Sequence, residues 1–165
     1  GVYGPGDTHR LPTIIAQARR GRMVRLGDGS ARFNHVYVDN AAHAHLLAAE
    51  HLTSGARGAS YFIIDHPPRN FFEFTGSLLA DLGFRAPPRA IPYRLAYTLA
   101  TALEYWTRVT RGRAGVTPLT RYAVASTCVD FYFRGDKARR ELGYTPPVAE
   151  AEARAQTLAW LRASY

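Results

Sequence analysis

One cysteine, one lysine and one methionine occur in this chain of 165 residues, and these scarcities remove several classes of explanation. A lone Cys128 cannot build an internal disulfide framework, which fits a reducing compartment. It stands between Thr127 and Val129 in CVDFYF, whose alternation predicts a strand, so it reads as a small buried hydrophobe rather than a nucleophile. The apolar run free of charge extends only from Leu95 to Leu103, short of the roughly 20 residues a bilayer crossing needs. There is no G-x-G-x-x-G fingerprint of the kind that carries a dinucleotide pyrophosphate on a helix N-terminus. Gly4, Gly6, Gly27 and Gly29 stand in turns instead. His43 and His45, two residues apart, do not share a helical face, and no cysteine or carboxylate completes a metal site around them. No signal peptide is visible, and the expected location is cytoplasmic, extending to peripheral contact with a membrane.

Set against these absences is a strong excess of arginine. Twenty arginines and the single Lys137 outweigh 13 acidic residues, giving a formal charge of +8. Arg19, Arg20, Arg22, Arg25 and Arg32 cluster, as do Arg108, Arg111 and Arg113. Such a field attracts phosphate, nucleic acid or an anionic bilayer without choosing among them. No helix-turn-helix, zinc spacing or RNA-binding aromatic pattern accompanies it, so nucleic acid is not the expected partner. The size suffices for one ordinary domain that buries roughly 70% of its unfolded surface.

Periodicity divides the chain into alternating strands and helices, a mixed α/β pattern. LPTIIAQARR predicts a helix over 11–20, ended by Gly21, with Leu11, Ile14, Ile15 and Ala18 on one stripe. Two apolar runs flank Gly27-Asp28-Gly29, a hairpin signal. Val36 and Val38 are expected on one strand face with Tyr37 opposite, and Asp39 as the cap of the helix that follows. Ser54 to Ser60 reads as a loop and Tyr61 to Ile64 as a buried parallel strand. Pro67 and Pro68 break the chain, and Asn70 caps a helix ending at Gly83. Beyond the joint at Pro87-Pro88, a helix over 92–110 places Leu95, Leu99, Leu103 and Trp106 along one side. Thr117-Pro118 opens a short helix through Val124, another ends at Gly143, and a last one carries Ala153, Thr157, Trp160 and Leu161 on a stripe.

Five segments, in order, resemble a known family. GVYGPGD, FNHVYVDNAAHAHLLAAEHL, YFIIDHPPRNFFEF, IPYRLAY and KARRELGYTP are similar to the C-terminal half of the 3-beta-hydroxysteroid dehydrogenase/isomerase family. These are extended short-chain dehydrogenase/reductases, related to NAD-dependent epimerases and dehydratases and including sterol-4-alpha-carboxylate 3-dehydrogenases. The resemblance implies an α/β fold made of the last strands of a Rossmann-type sheet plus a smaller substrate-side lobe. Residues 1–165 would then be a C-terminal fragment, with 6–32 and 67–116 contributing to that lobe.

It further implies hydride transfer between NAD or NADP and a secondary alcohol or ketone, a steroid or another apolar molecule. The family's catalytic tyrosine and lysine stand four positions apart, and here the residue four before Lys137 is Phe133. No catalytic residue is therefore assigned to this chain, which is expected to be inactive alone and dependent on a missing N-terminal half. No nicotinamide cofactor is expected to bind it well. The family's loop at Val2, Tyr3, Gly4 and Pro5 lies beside the nicotinamide, and these four are the candidate cofactor-binding residues; for Val2 and Tyr3 plain packing stands as the alternative. His66 and Asn70 either face the cleft or serve as turn and cap. A homo-oligomer is a further expectation. A competing reading is a non-enzymatic membrane-surface or partner-binding module using the aromatic, arginine-rich helix 92–113.

Overall fold

A computed structural model describes residues 1–53, 58–85, 89–110 and 119–165. Its described elements run β1 (Val2–Tyr3), α1 (Arg10–Arg19), β2 (Arg25–Leu26), β3 (Arg32–Phe33), β4 (Val36–Tyr37), α2 (Val38–Thr53), β5 (Arg69–Asn70), α3 (Phe71–Asp81), β6 (Ala90–Ile91), α4 (Tyr93–Val109), α5 (Arg121–Cys128), α6 (Asp136–Leu142) and α7 (Glu150–Ser164). β1 and β4 pair in parallel, Val2 opposite Val36 and Tyr3 opposite Tyr37. β2 and β6 are also parallel, whereas β3 and β5 are antiparallel. None of the described helices is long and apolar enough to cross a membrane.

The main core forms where α1, α3 and α7 close over the β1–β4 pair. Leu11 and Ile15 come from α1, Phe74, Leu78 and Leu79 from α3, and Ala153, Leu158 and Leu161 from α7, all against Tyr3 and Tyr37. Leu11 and Ile15 stand four apart, as do Phe74 and Leu78, and Leu158 and Leu161 stand three apart, the spacings that make an apolar stripe on each helix. A second cluster joins Ala44 of α2 to Ala138 and Leu142 of α6 and to Tyr144. A third joins Ala96 and Ala100 of α4 to Val124 of α5.

Several local expectations hold. Asn70 caps α3 by accepting from the backbone N–H groups of Phe72 at 2.8 Å and Glu73 at 3.2 Å. Gly83 and Gly143 follow α3 and α6 with φ of +82° and +64°, where a side chain would be strained. Others are corrected. The turn at Gly27-Asp28-Gly29 exists, with the Asp28 carboxylate accepting from Ser30, but its arms do not form a hairpin. Leu26 goes to Ile91 and Phe33 to Arg69, because Leu26 packs with the α4–α5 cluster while Phe33 faces β5.

The strand at Val36 stops after two residues, since Val38 already begins α2, and Tyr37 is fully buried. Asp39 consequently lies in the first turn of α2, where a carboxylate still opposes the helix dipole, and is not its cap. Tyr61–Ile64 is not a paired strand. It borders an open cleft of about 200 Å³ that it shares with Val2 and Val36, and Phe62 stacks on Phe133 with centroids 3.9 Å apart. CVDFYF contributes one parallel bridge, Phe131 to Phe33, and Cys128 ends a helix instead of lying in a strand. Thr120 caps that helix, so it starts at Arg121; Thr117-Pro118, the joint at Pro87-Pro88, and the part of the loop at 54–57 lie outside the described residues.

Candidate functional site

The chain from Gly1 to Arg10 runs from β1 through a tight turn into α1. Gly4 has φ of +135°, and a Cβ there would stand 2.7 Å from Val38 Cγ1 and 2.9 Å from Tyr37 Cε2. Glycine is required both by the backbone conformation and by the close approach of the turn to β4. Asp7 then organises the start of α1, its carboxylate accepting from the backbone N–H groups of His9, Arg10 and Leu11 at 2.8–2.9 Å. Those bonds hold the Asp7 carboxyl below its usual range against the opposing effect of burial, which is the largest single influence on it.

Of the four candidate cofactor residues, Val2 is 52% exposed and Pro5 partly exposed, while Tyr3 and Gly4 are buried. Together with Gly6 to His9 and Val38 they line a cleft of about 240 Å³. A complete small-molecule site takes roughly 300–1,000 Å³, so this cleft accommodates one flat ring and not a whole dinucleotide. The exposed Val2 side chain presents an apolar surface beside the glycine-proline turn. Tyr3 packs edge-on to Phe74, centroids 4.8 Å apart, and burial above all pushes its phenol up to about 12. Such a phenol does not give up its proton near neutral pH, which leaves Tyr3 to packing.

Beneath the turn, Asp65 joins three parts of the chain. Its Oδ2 accepts from the Tyr37 backbone N–H at 2.7 Å and the Asn40 amide at 2.9 Å, and its Oδ1 from the Tyr144 hydroxyl at 2.7 Å. Asn40 in turn bonds both backbone groups of Val148, at 2.9 and 3.0 Å. Burial, then the Asp65 bond, raises the Tyr144 phenol. Sequence reasoning placed Asp65 only at a strand exit; its role comes from contacts with residues 25 to 79 positions away.

Two histidines lie alongside. His35, fully buried, stacks on Phe74 with centroids 4.0 Å apart, and neither ring nitrogen has a hydrogen-bond partner. His66 is 7% exposed, with Nδ1 2.9 Å from the Pro67 carbonyl and Nε2 unpartnered. It faces the core more than any cleft. Asn70 is spent on the α3 cap and on the Gly29 and Ala31 carbonyls. His35 was not a sequence candidate, since nothing in its neighbours signals an unpaired ring.

The Arg10 guanidinium lies against Gly1 and over the Phe71 ring, Cζ 5.4 Å from the centroid. It forms no ion pair among the described residues, whereas Arg69 nearby is held by both oxygens of Glu150. Beyond Phe71 opens an apolar cleft of about 440 Å³ lined by Thr13, Ile14 and Gln17 of α1, Met23, Leu26 and Phe72, among others. Among the described residues no group of three or more His, Cys, Asp or Glu side chains is arranged to hold a metal ion.

Residues 1–93 match the 3-beta hydroxysteroid dehydrogenase/isomerase family. The chain is 37% identical over 153 residues to the 2-alkyl-3-oxoalkanoate reductase of Stenotrophomonas maltophilia (strain K279a), covering 92% of this chain and 46% of that protein. It is 34% identical over 162 residues to the decarboxylating sterol-4-alpha-carboxylate 3-dehydrogenase of Mus musculus, covering 96% and 45%. It thus spans somewhat under half the length of these curated relatives. Among solved structures, gox2253 superposes with a TM-score of 0.66 at 26% identity over 99% of this chain and 47% of that one. A dTDP-glucose 4,6-dehydratase from Streptomyces venezuelae, solved with NAD and TYD bound, gives 0.64 at 24% identity over 99% and 42%. The fold is a Rossmann-type parallel α/β fold consistent with an extended short-chain dehydrogenase/reductase.

The expectation that no nicotinamide cofactor binds this chain well is overturned by the same superpositions. Nearly the whole chain, 96–99% of it, aligns on folds that were solved with NAD in place. The expectation weighed the missing phosphate loop alone. The rest of the chain has the fold that those NAD-bound structures share.

Proposed function

The chain belongs to the 3-beta hydroxysteroid dehydrogenase/isomerase family, and from that premise we propose that it forms the substrate-side lobe and one wall of the nicotinamide site of an NAD(P)-dependent oxidoreductase acting on a secondary CH–OH group. Residues 6–32 and 67–116 make the lobe in this reading, and Val2, Tyr3, Gly4 and Pro5 the wall, with β1 and β4 among the last strands of the sheet. Tyr3 stiffens that wall from behind while Val2 meets the ring. The bound nicotinamide supplies the hydride acceptor. The proton-transfer pair of the family is not encoded in this sequence, so the chain works with a companion segment that carries it and is inactive alone.

The substrate class follows from the two relatives whose names describe chemistry. One reduces a 3-oxo acid and the other oxidises a sterol at C3 beside a C4 carboxylate. Both names put a carboxylate on the carbon next to the reacting one, and both put an alkyl or sterol part on the same molecule. A 3-oxo or 3-hydroxy carboxylic acid with an apolar body is accordingly the substrate class proposed here.

What carries this reading is the ring-sized cleft at Val2 to Pro5, where an exposed apolar side chain adjoins a glycine-fixed turn. Titration of the 165-residue chain with NADH, followed by NADH fluorescence, tests it. Saturable binding is expected, weakened about tenfold by Val2→Asp, the effect of roughly 1.4 kcal/mol from a carboxylate set against the ring. An unchanged affinity in Val2→Asp contradicts the assignment of the wall.

A further inference from the structure

Arg10 stands at one end of a helix face whose other members line the apolar cleft. Arg10, Thr13, Ile14 and Gln17 are spaced by three, four and seven residues, so they form one side of α1. Phe71 joins the two regions: its ring lies under the guanidinium and also borders the cleft. The result is a fixed cation at the rim of an apolar groove of about 440 Å³, within the range that encloses a small-molecule body.

The cation is available. Asp7 is the nearest acidic influence on Arg10, but its oxygens are occupied by three backbone N–H groups at the start of α1. Arg32, Arg69, Arg121, Arg134 and Arg154 all form ion pairs, and Arg10 has none among the described residues. A half-buried guanidinium seated on a ring, with no ion pair among the described residues, keeps its planar fork of N–H donors for a carboxylate, which accepts two of them side by side.

We infer that Arg10 binds the carboxylate of a 3-oxo or 3-hydroxy acid whose apolar body lies in the cleft beyond Phe71. The inference rests on the substrate class proposed above and assigns its recognition to a residue. Position favours Arg10 over Arg22, which also borders the cleft. In such an acid the carboxyl carbon is separated from the reacting carbon by a single carbon, roughly 2.5 Å through two bonds. The carboxylate must therefore be held near the nicotinamide end, and Arg10 touches Gly1 at the head of β1 whereas Arg22 follows the far end of α1.

Calorimetric titration of the chain with a 2-alkyl-3-hydroxyalkanoate, its methyl ester, and a 3-hydroxysteroid bearing a C4 carboxylate tests the inference. The wild-type chain is expected to prefer the acid over its ester by about tenfold or more, as charge-assisted hydrogen bonds dictate. Arg10→Gln should abolish that preference while leaving ester binding unchanged, Arg10→Lys should restore part of it, and Arg22→Gln should leave it intact. The better of the alkyl and steroid acids identifies the body the cleft accepts. Retained preference in Arg10→Gln, a loss confined to Arg22→Gln, or a wild-type chain binding neither acid nor ester each overturns the assignment; far-ultraviolet circular dichroism of Arg10→Gln verifies its fold. NADH binding measured on the same samples separates the two levels: acid preference without NADH binding contradicts the oxidoreductase reading and leaves the carboxylate site standing.

Discussion

At the scale of single residues, the unpaired ring of His35 has a calculable consequence. Burial chiefly, with help from Arg10, the amino terminus, His66 and Arg69, lowers its imidazolium pKa to about 3. The folded protein keeps His35 neutral down to that pH, whereas the unfolded chain takes up a proton below about 6.5. Above pH 6.5 the group is neutral in both states and contributes no pH dependence. As pH falls from 6.5 towards 3 the unfolded state binds the extra proton, so stability drops by up to roughly 1.4 kcal/mol per unit. Urea unfolding at pH 7 and pH 5 should differ by about 2 kcal/mol from this group. His35→Phe, which keeps the stack on Phe74 and removes two unsatisfied nitrogens, should erase most of that difference; an unchanged difference contradicts the account. Asn70→Ala should cost about 1–2 kcal/mol at any of these pH values, because it removes the α3 cap.

At the scale of elements, α4 shows what periodicity reveals and what it leaves open. Its limits were legible in the sequence to within a residue, from Pro92 at the start and Thr110 at the end. Which side it buries was not. Ala96 and Ala100 are fully buried against Val124, since small residues let α4 and α5 approach closely, while Leu95, Leu99, Leu103 and Trp106 are 40–59% exposed. Counting apolar residues cannot tell a stripe that covers the core from one that faces outward. An apolar face of this kind predicts self-association of the chain in water. Leu99→Glu with Leu103→Glu should shift sedimentation from oligomer to monomer, and a wild-type chain that is monomeric at all concentrations refutes it.

The same contrast runs through the other elements. Caps and stops written in neighbouring residues, such as Asn70, Gly83 and Gly143, were readable because their physics is local. Hairpin pairing around Gly27 and Gly29, the cap assigned to Asp39, and the strand at 61–64 failed because their outcome depends on distant partners. Leu26 answers to Ile91, Tyr37 to Asp65, and Phe62 to Phe133. For the candidate site, the turn at Val2 to Pro5 was legible from its glycines and proline. Arg10 was not, because an arginine among twenty becomes distinctive only when its seat on Phe71 beside the apolar cleft is seen.

At the scale of the molecule, the chain is a Rossmann-type α/β unit that presents a ring-sized cleft at one end of α1 and an apolar groove along it. The two are joined through Arg10 and Phe71, an arrangement suited, in the proposed reading, to holding an acid whose carboxylate lies one carbon beyond the reacting carbon. No tyrosine stands four positions before the single Lys137, so in the proposed reading turnover depends on a segment that supplies the proton-transfer pair. The most direct test places the front half of the Stenotrophomonas relative ahead of Gly1 and follows absorbance at the NADH band with NAD and a 2-alkyl-3-hydroxyalkanoate. The account predicts nicotinamide reduction that Arg10→Gln slows by about tenfold or more for the acid, the share of a charge-assisted contact. A fusion that binds both NADH and the acid yet transfers no hydride would contradict it.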